Sequence, residues 1–156
     1  GLPLQGENGS NWGVLAPRLT NPLIKPAPAD IAWMRDAFRD WLRIRASTTL
    51  LRLRTADDIK ARLTFHNVGS SQEPTVLVGQ VDGAGYPGAR FAELVYLINV
   101  DKADKVLTVD ALKGRAYALH PAQAEGVDLR VRTQAGYDAA TGAFRVPARS
   151  AVVFVR

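Results

Sequence analysis

Residues 93–99, ELVYLIN, place five apolar side chains side by side and leave little polar surface on either face. A strand of that composition is covered from both sides, so it belongs in the middle of a sheet. On the N-terminal side the hydrophobic period is two. Leu63 and Phe65 alternate with Arg62, Thr64 and His66, the NVGSS sequence turns the chain, and a second strand is expected from Thr75 to Val81. GAGYPGAR then reads as a loop. On the C-terminal side, strands are expected at Lys105–Val109, Arg115–Leu119, Val127–Arg132, Ala143–Val146 and Ala151–Val155. The DAATG sequence at Asp138–Gly142 is a hairpin turn with Tyr137 and Phe144 on its arms. About eight short strands in roughly ninety residues, with turns every eight to twelve, predict a mainly β fold, an antiparallel β-sandwich. No internal repeat or low-complexity segment interrupts it.

Ahead of the strands, Asp30 to Ala46 is the strongest helix signal. At 100° per residue, Trp33, Ile44, Ala37, Trp41, Met34, Phe38, Ile31 and Leu42 fall on one arc about half the circumference wide. An arc that broad requires more than one neighbour to cover it. Asp36, Asp40 and three arginines lie opposite; Asp36 can pair with Arg39 and Asp40 with Arg43 at i,i+3, and the face reads as solvated. Arg45 falls inside the apolar arc and is expected to reach a carboxylate or the helix's own last carbonyls. TADDIKARL is a short helix with Thr55 as N-cap and Asp58 at N3. From Gly1 to Pro28, turn-forming residues and five prolines predict a loop anchored by Trp12 with Leu15 and Leu19, and Pro28 marks the helix start. Nearly thirty such residues either pack along another part of the chain or belong to a larger body.

Composition excludes several functions. The 156 residues carry a net charge of +5 that is dispersed along the chain, without basic runs interleaved with aromatics, so no nucleic acid partner is expected. No stretch of about 18 apolar residues predicts a membrane span, and Gly1–Thr20 does not read as a leader. Cysteine is absent, which removes thiol chemistry and Cys-based zinc sites. His66, on the polar face of a strand, and His120, before Pro121 at a strand end, read as surface or turn residues rather than ligands, and no metal-binding or phosphate-binding motif occurs. Ser71 and Ser150 lack a nucleophile elbow. The aspartates sit at helix starts, on the solvated helix face or at strand ends, where backbone geometry alone favours them, so no pair is promoted as an acid–base couple. Trp12 and Tyr86, in loops, could stack on a sugar, while Tyr96, Tyr117 and Phe154 are expected to fill the core.

With those residues in view, the chain resembles the C-terminal end of pullulanase-type α-1,6-glucosidases, the group that includes plant limit dextrinases. GLPLQGENGSNW with PRLTNPLIKP, LRIRAST with LLRLRTADDIKARLTFHNVG, then YLINV, ALHPAQ, GYDAATGAFRVPARS and AVVFV match in order and spacing. The loop from Gln80 to Phe91 is shorter than in some members. The resemblance implies a (β/α)8 catalytic barrel followed by a β-sandwich. Residues 1–54 would be the end of the barrel, a loop plus its last helix, and 55–156 the sandwich. It also implies retaining hydrolysis of α-1,6 branch linkages in an α-glucan substrate by an aspartate nucleophile, a glutamate acid/base and a second aspartate. All three lie upstream of the segment matching Gly1, so this chain alone is expected to be inactive and to have the catalytic barrel as its partner. Only the start would lie near the active-site end, with Asn8, Asn11 and Trp12 as candidate substrate-binding residues. No cofactor is expected in this chain; calcium is possible elsewhere in the parent, which would be secreted or plastidial. With its barrel-facing surface bare, the isolated chain is expected to self-associate. The alternative is a carbohydrate-binding sandwich that holds α-glucan through Trp12 and Tyr86.

Overall fold

A computed structural model describes residues 1–156. The chain divides into two compact units, Gly1–Asp36 and Ala37–Arg156. The first is more helical than the proline content predicts. It holds α1 (Gln5–Asn8), a 3-10 turn at Gly9–Asn11, α2 (Trp12–Thr20) and a second 3-10 turn at Pro22–Ile24. The ring-fixed φ of proline is close to the helical value, so the prolines do not forbid helix, although their positions differ in cost. Pro17 lies inside α2 and forfeits one bond. Pro22 follows Asn21, whose side chain accepts from Leu23 N at 2.9 Å. Pro28 opens the long helix, where the Asp30 carboxylate accepts from Ala27 N at 2.8 Å. No residue of α1 or α2 is buried.

The long helix, α3, runs Pro28–Ser47, starting at the expected proline and ending one residue past the expected Ala46. Within the second unit its last part seats Ile44 in the core, completely buried. Asp40, expected on the solvated face, is buried instead. The reason lies far along the chain: the Asp40 carboxylate accepts from Val127 N at 2.9 Å, and a Cβ on Gly126 would stand only 2.7 Å from the same oxygen. A helical wheel cannot see that turn arriving. Arg43 pairs with Asp40 at i,i+3 as predicted, at 3.0 Å. Beyond α3, α4 (Ala56–Arg62) carries the predicted cap, with Thr55 Oγ1 accepting from Asp58 N at 3.0 Å.

The second unit is a two-sheet sandwich. One antiparallel sheet has the order β1 (Leu63–His66), β2 (Val76–Asp82), β3 (Glu93–Asn99), β8 (Ser150–Val155), β5 (Ala118–Leu119). The ELVYLIN strand is therefore its centre. The other sheet has the order β4 (Lys105–Thr108), β7 (Ala143–Val146), β6 (Gly136–Asp138), and Tyr137 faces Phe144 across the predicted hairpin, with ring centroids 4.6 Å apart. Val78, Val95, Leu97 and Phe154 meet Phe144 and Val146 between the sheets.

Two strand expectations are corrected. Val127–Arg132 alternates like a strand, but Leu129–Gln134 is a helix, α6, capped by Asp128 Oδ1 accepting from Arg130 N at 3.0 Å. Val131 and Ala135 at i,i+4 then face the core together, and the cap, not the alternation, decides the local structure. Arg115–Leu119 pairs as strand only at Ala118–Leu119, and the side chains of Arg115 and Tyr117 ahead of it bond to Glu93. Between β5 and α6 lies one further short helix, α5 (Pro121–Ala124).

Candidate functional site

The two histidines and several carboxylates are committed to structure. His120, expected at the surface or in a turn, is only 3% exposed and caps α5. Its Nδ1 accepts from Ala122 N at 3.1 Å, which leaves the proton on Nε2 to donate to Ser47 Oγ at 2.9 Å; Ser47 Oγ in turn donates to Ile44 O at 2.8 Å. This relay ties the end of α3 to the sandwich, and burial pushes the His120 pKa down. A histidine just before a proline is an N-cap position, which is the signal that identifies it. His66 Nε2 lies 2.9 Å from Gln80 Oε1. Asp82, Asp104 and Asp138 accept backbone N–H groups of nearby turns or of Ala148. No cluster of three or more metal-ligating side chains occurs.

The acid that sequence reasoning missed is Glu93. Its buried carboxylate accepts from Arg115 at 2.5 Å, from Arg156 Nε and Nη2 at 2.8 Å each, and from the Tyr117 hydroxyl. The Arg156 guanidinium first, then Tyr117 and Arg115, hold its pKa down at about 2 against the cost of burial. Burial and the adjacent carboxylate push Tyr117 up to about 12. Four donor groups on one carboxylate leave it no proton to transfer near neutral pH, so this is a clasp for the chain end rather than a catalytic group. The signal was present in the opposite charges at the paired ends of ELVYLIN and SAVVFVR.

Of the candidate sugar-contacting residues, Asn8, Asn11 and Trp12 lie in the first unit and Tyr86 in the second. Asn8 precedes the first 3-10 turn and Asn11 ends it, neither making a side-chain cap, and Trp12 begins α2, half-buried, its Nε1 donating to Pro3 O at 3.0 Å. Tyr86 packs into the second hydrophobic cluster, and the Arg62 guanidinium covers its ring at 4.8 Å. Tyr86 also lines a cleft of about 450 Å³ with Thr49, Arg54, Thr55, Asp58 and Arg62.

What the second unit does present is an uncovered apolar face. The outer side of the five-stranded sheet is only partly roofed, where Val81, Leu94, Val153 and Val155 pack under Ile44, Leu50 and Ala89. Next to that roof lies a cleft of about 650 Å³, lined by Phe38, Trp41 and Leu42 of α3, by Leu51, Leu53 and Ile59, and by Tyr96, Ile98 and Val153 of the sheet. Gly79 lets the Tyr96 ring lie flat on β2, where any Cβ would collide with it. Phe38, Trp41 and Leu42 are 61%, 37% and 50% exposed. Arg45 lines the same cleft, exposed, and neither a carboxylate nor a carbonyl of the chain receives it, which corrects the sequence expectation. Apolar surface of this extent is characteristic of an interface.

Comparison with known proteins agrees with this picture. A family model for the C-terminal part of pullulanase-type alpha-1,6-glucosidases matches residues 1–156. The chain is 37% identical to a chloroplastic pullulanase of Arabidopsis thaliana over 99% of its own length and 17% of that protein's. It superposes on a maltotriose complex of PulA from Klebsiella pneumoniae with a TM-score of 0.83 at 23% identity, covering 99% of this chain and 17% of that one. PulA from Klebsiella oxytoca gives 0.81 at 24% over 99% and 15%. The chain thus spans about a sixth of the length of these relatives. It belongs to the pullulanase-type alpha-1,6-glucosidases and represents their C-terminal part.

Proposed function

We propose that this chain serves as the supporting C-terminal portion of a debranching enzyme that hydrolyses α-1,6-glucosidic linkages of an α-glucan, with catalysis carried out by a barrel encoded upstream. Residues 1–54 would then be the end of that barrel, with α3 as its last helix, and residues 55–156 the sandwich that braces it. The observation that carries this reading is the bare face at Phe38, Trp41 and Leu42. Exposed aromatic and aliphatic side chains on a helix whose opposite side is docked on a sandwich call for a second body to cover them. Asp82, Asp104 and Asp138 are held by backbone N–H groups and Glu93 by two arginines and a tyrosine, which gives these four carboxylates structural work.

The test is hydrolysis of pullulan by the 156-residue chain and by the longer polypeptide that contains it. Activity is expected from the longer protein alone; reducing ends released by the short chain would refute the reading. Asn8, Asn11 and Trp12 are proposed to reach the substrate, so Trp12→Ala in the longer protein is expected to lower kcat/KM on pullulan. An unchanged kcat/KM would remove Trp12 from the site.

A further inference from the structure

We propose that Arg45 is the docking cation of the bare face, and that the preceding part of the longer protein meets it with a carboxylate. This rests on the reading that the face is covered from within the same polypeptide, and it adds the chemistry of what covers it.

On α3, Arg45 stands four residues after Trp41 and three after Leu42, so its side chain shares their side of the helix rather than that of Arg35, Arg39 and Arg43. Its guanidinium has no ion pair or hydrogen bond within the chain, although every buried polar side-chain atom elsewhere has a partner. The cleft contains one other cation, Arg52, whose Nη2 donates to Thr48 O at 3.4 Å, and it contains no acid. Whatever closes the cleft strips water from the Arg45 guanidinium, and a buried charge without a partner is costly. A wholly apolar cover leaves that cost standing. A second copy of this chain meeting the face cleft to cleft brings two more guanidiniums and no carboxylate, so association of the isolated chain through this face is weak and strengthens as salt screens the repulsion. An aspartate or glutamate on the upstream body, offered as a fork to the planar guanidinium, satisfies both the charge and the donors. Arg45 is thereby a positioning residue that sets the register of the sandwich on its partner.

Two variants of the longer protein test this. Arg45→Lys keeps the charge and supplies an amine that a water-soluble carbodiimide couples to a carboxylate in contact with it. A photo-cross-linking benzophenone residue in place of the half-exposed Leu42 captures any neighbour, whatever its charge. The expected result, read by peptide mass spectrometry, is an amide cross-link from position 45 to one upstream Asp or Glu peptide and a photo-cross-link from position 42 to the same region. A photo-cross-link at 42 with no carbodiimide product at 45 overturns the pairing and leaves the covered face standing. No upstream cross-link from either position overturns both.

Discussion

Glu93→Gln removes the charge at the centre of the clasp while keeping its shape. The amide leaves the guanidiniums of Arg115 and Arg156 without their shared anion and turns an N–H toward donors. Removing one partner from a fully buried ion pair costs about 3–5 kcal/mol. Here the two arginine side chains are 32% and 39% exposed, so each can turn toward water, and the expectation falls to about 2–3 kcal/mol. Proton linkage gives a similar figure from a separate argument. A carboxyl held at about 2 in the folded chain against 4.5 unfolded contributes, at about 1.4 kcal/mol per unit, on the order of 3 kcal/mol near neutral pH. Because the folded value is depressed, this stability is fully present above pH 4.5 and is lost as pH falls through about 2. In urea titrations at pH 7 the variant should therefore be less stable by about 2–3 kcal/mol, or roughly 5–12 °C in Tm for a domain of this size. By pH 3 the gap should narrow by more than half. A variant within about 0.5 kcal/mol of the parent at pH 7, or a gap that does not change with pH, refutes the reasoning.

His120 supplies a second pH dependence at a different point. Its folded pKa lies below the unfolded value of 6.5, so stability is complete above that pH and declines as the pH falls below it; His120→Gln should flatten this slope in urea midpoints between pH 8 and 5, and an unchanged slope assigns it elsewhere. Gly79→Ala should cost about 1–3 kcal/mol by pushing on the Tyr96 ring, and combining it with Tyr96→Ala should recover most of that cost; strict additivity in thermal unfolding contradicts the contact. Asp40→Asn weakens the hydrogen bond from Val127 N and should cost about 1–3 kcal/mol by chemical denaturation, whereas a neutral substitution would show that the link is not needed.

Much of the sandwich was legible because its signals are local. The run of apolar residues at 93–99, the hairpin around Asp138–Gly142 and the Thr55 cap each carry their own geometry, and all three occur in the structure. The misreadings arise where a distant or competing interaction wins. Residues 12–24 are helical despite two prolines: Pro22 opens a 3-10 turn, where its missing N–H costs little, and Pro17 is carried inside α2 at the loss of one bond. The segment near Val131 has strand-like alternation, yet Asp128 starts a helix there. Asp40 and His120 carry polar labels but are buried, because turns from elsewhere in the chain supply their partners. Of the broad apolar arc on α3, Ile44 is enclosed by the sandwich while Phe38 and Leu42 stay open. Arg45 could not be read the same way, because no residue of this chain answers it.

The claim that this open face is an interface inside a larger enzyme is tested most directly by hydroxyl-radical footprinting of the isolated chain and of the longer protein that contains it. Strong protection of Phe38, Trp41, Leu42 and Ile98 in the longer protein, with Leu129 on α6 modified at the same rate in both, is the predicted result. Equal modification of the face in both proteins would contradict the account and leave the sandwich a module that braces nothing.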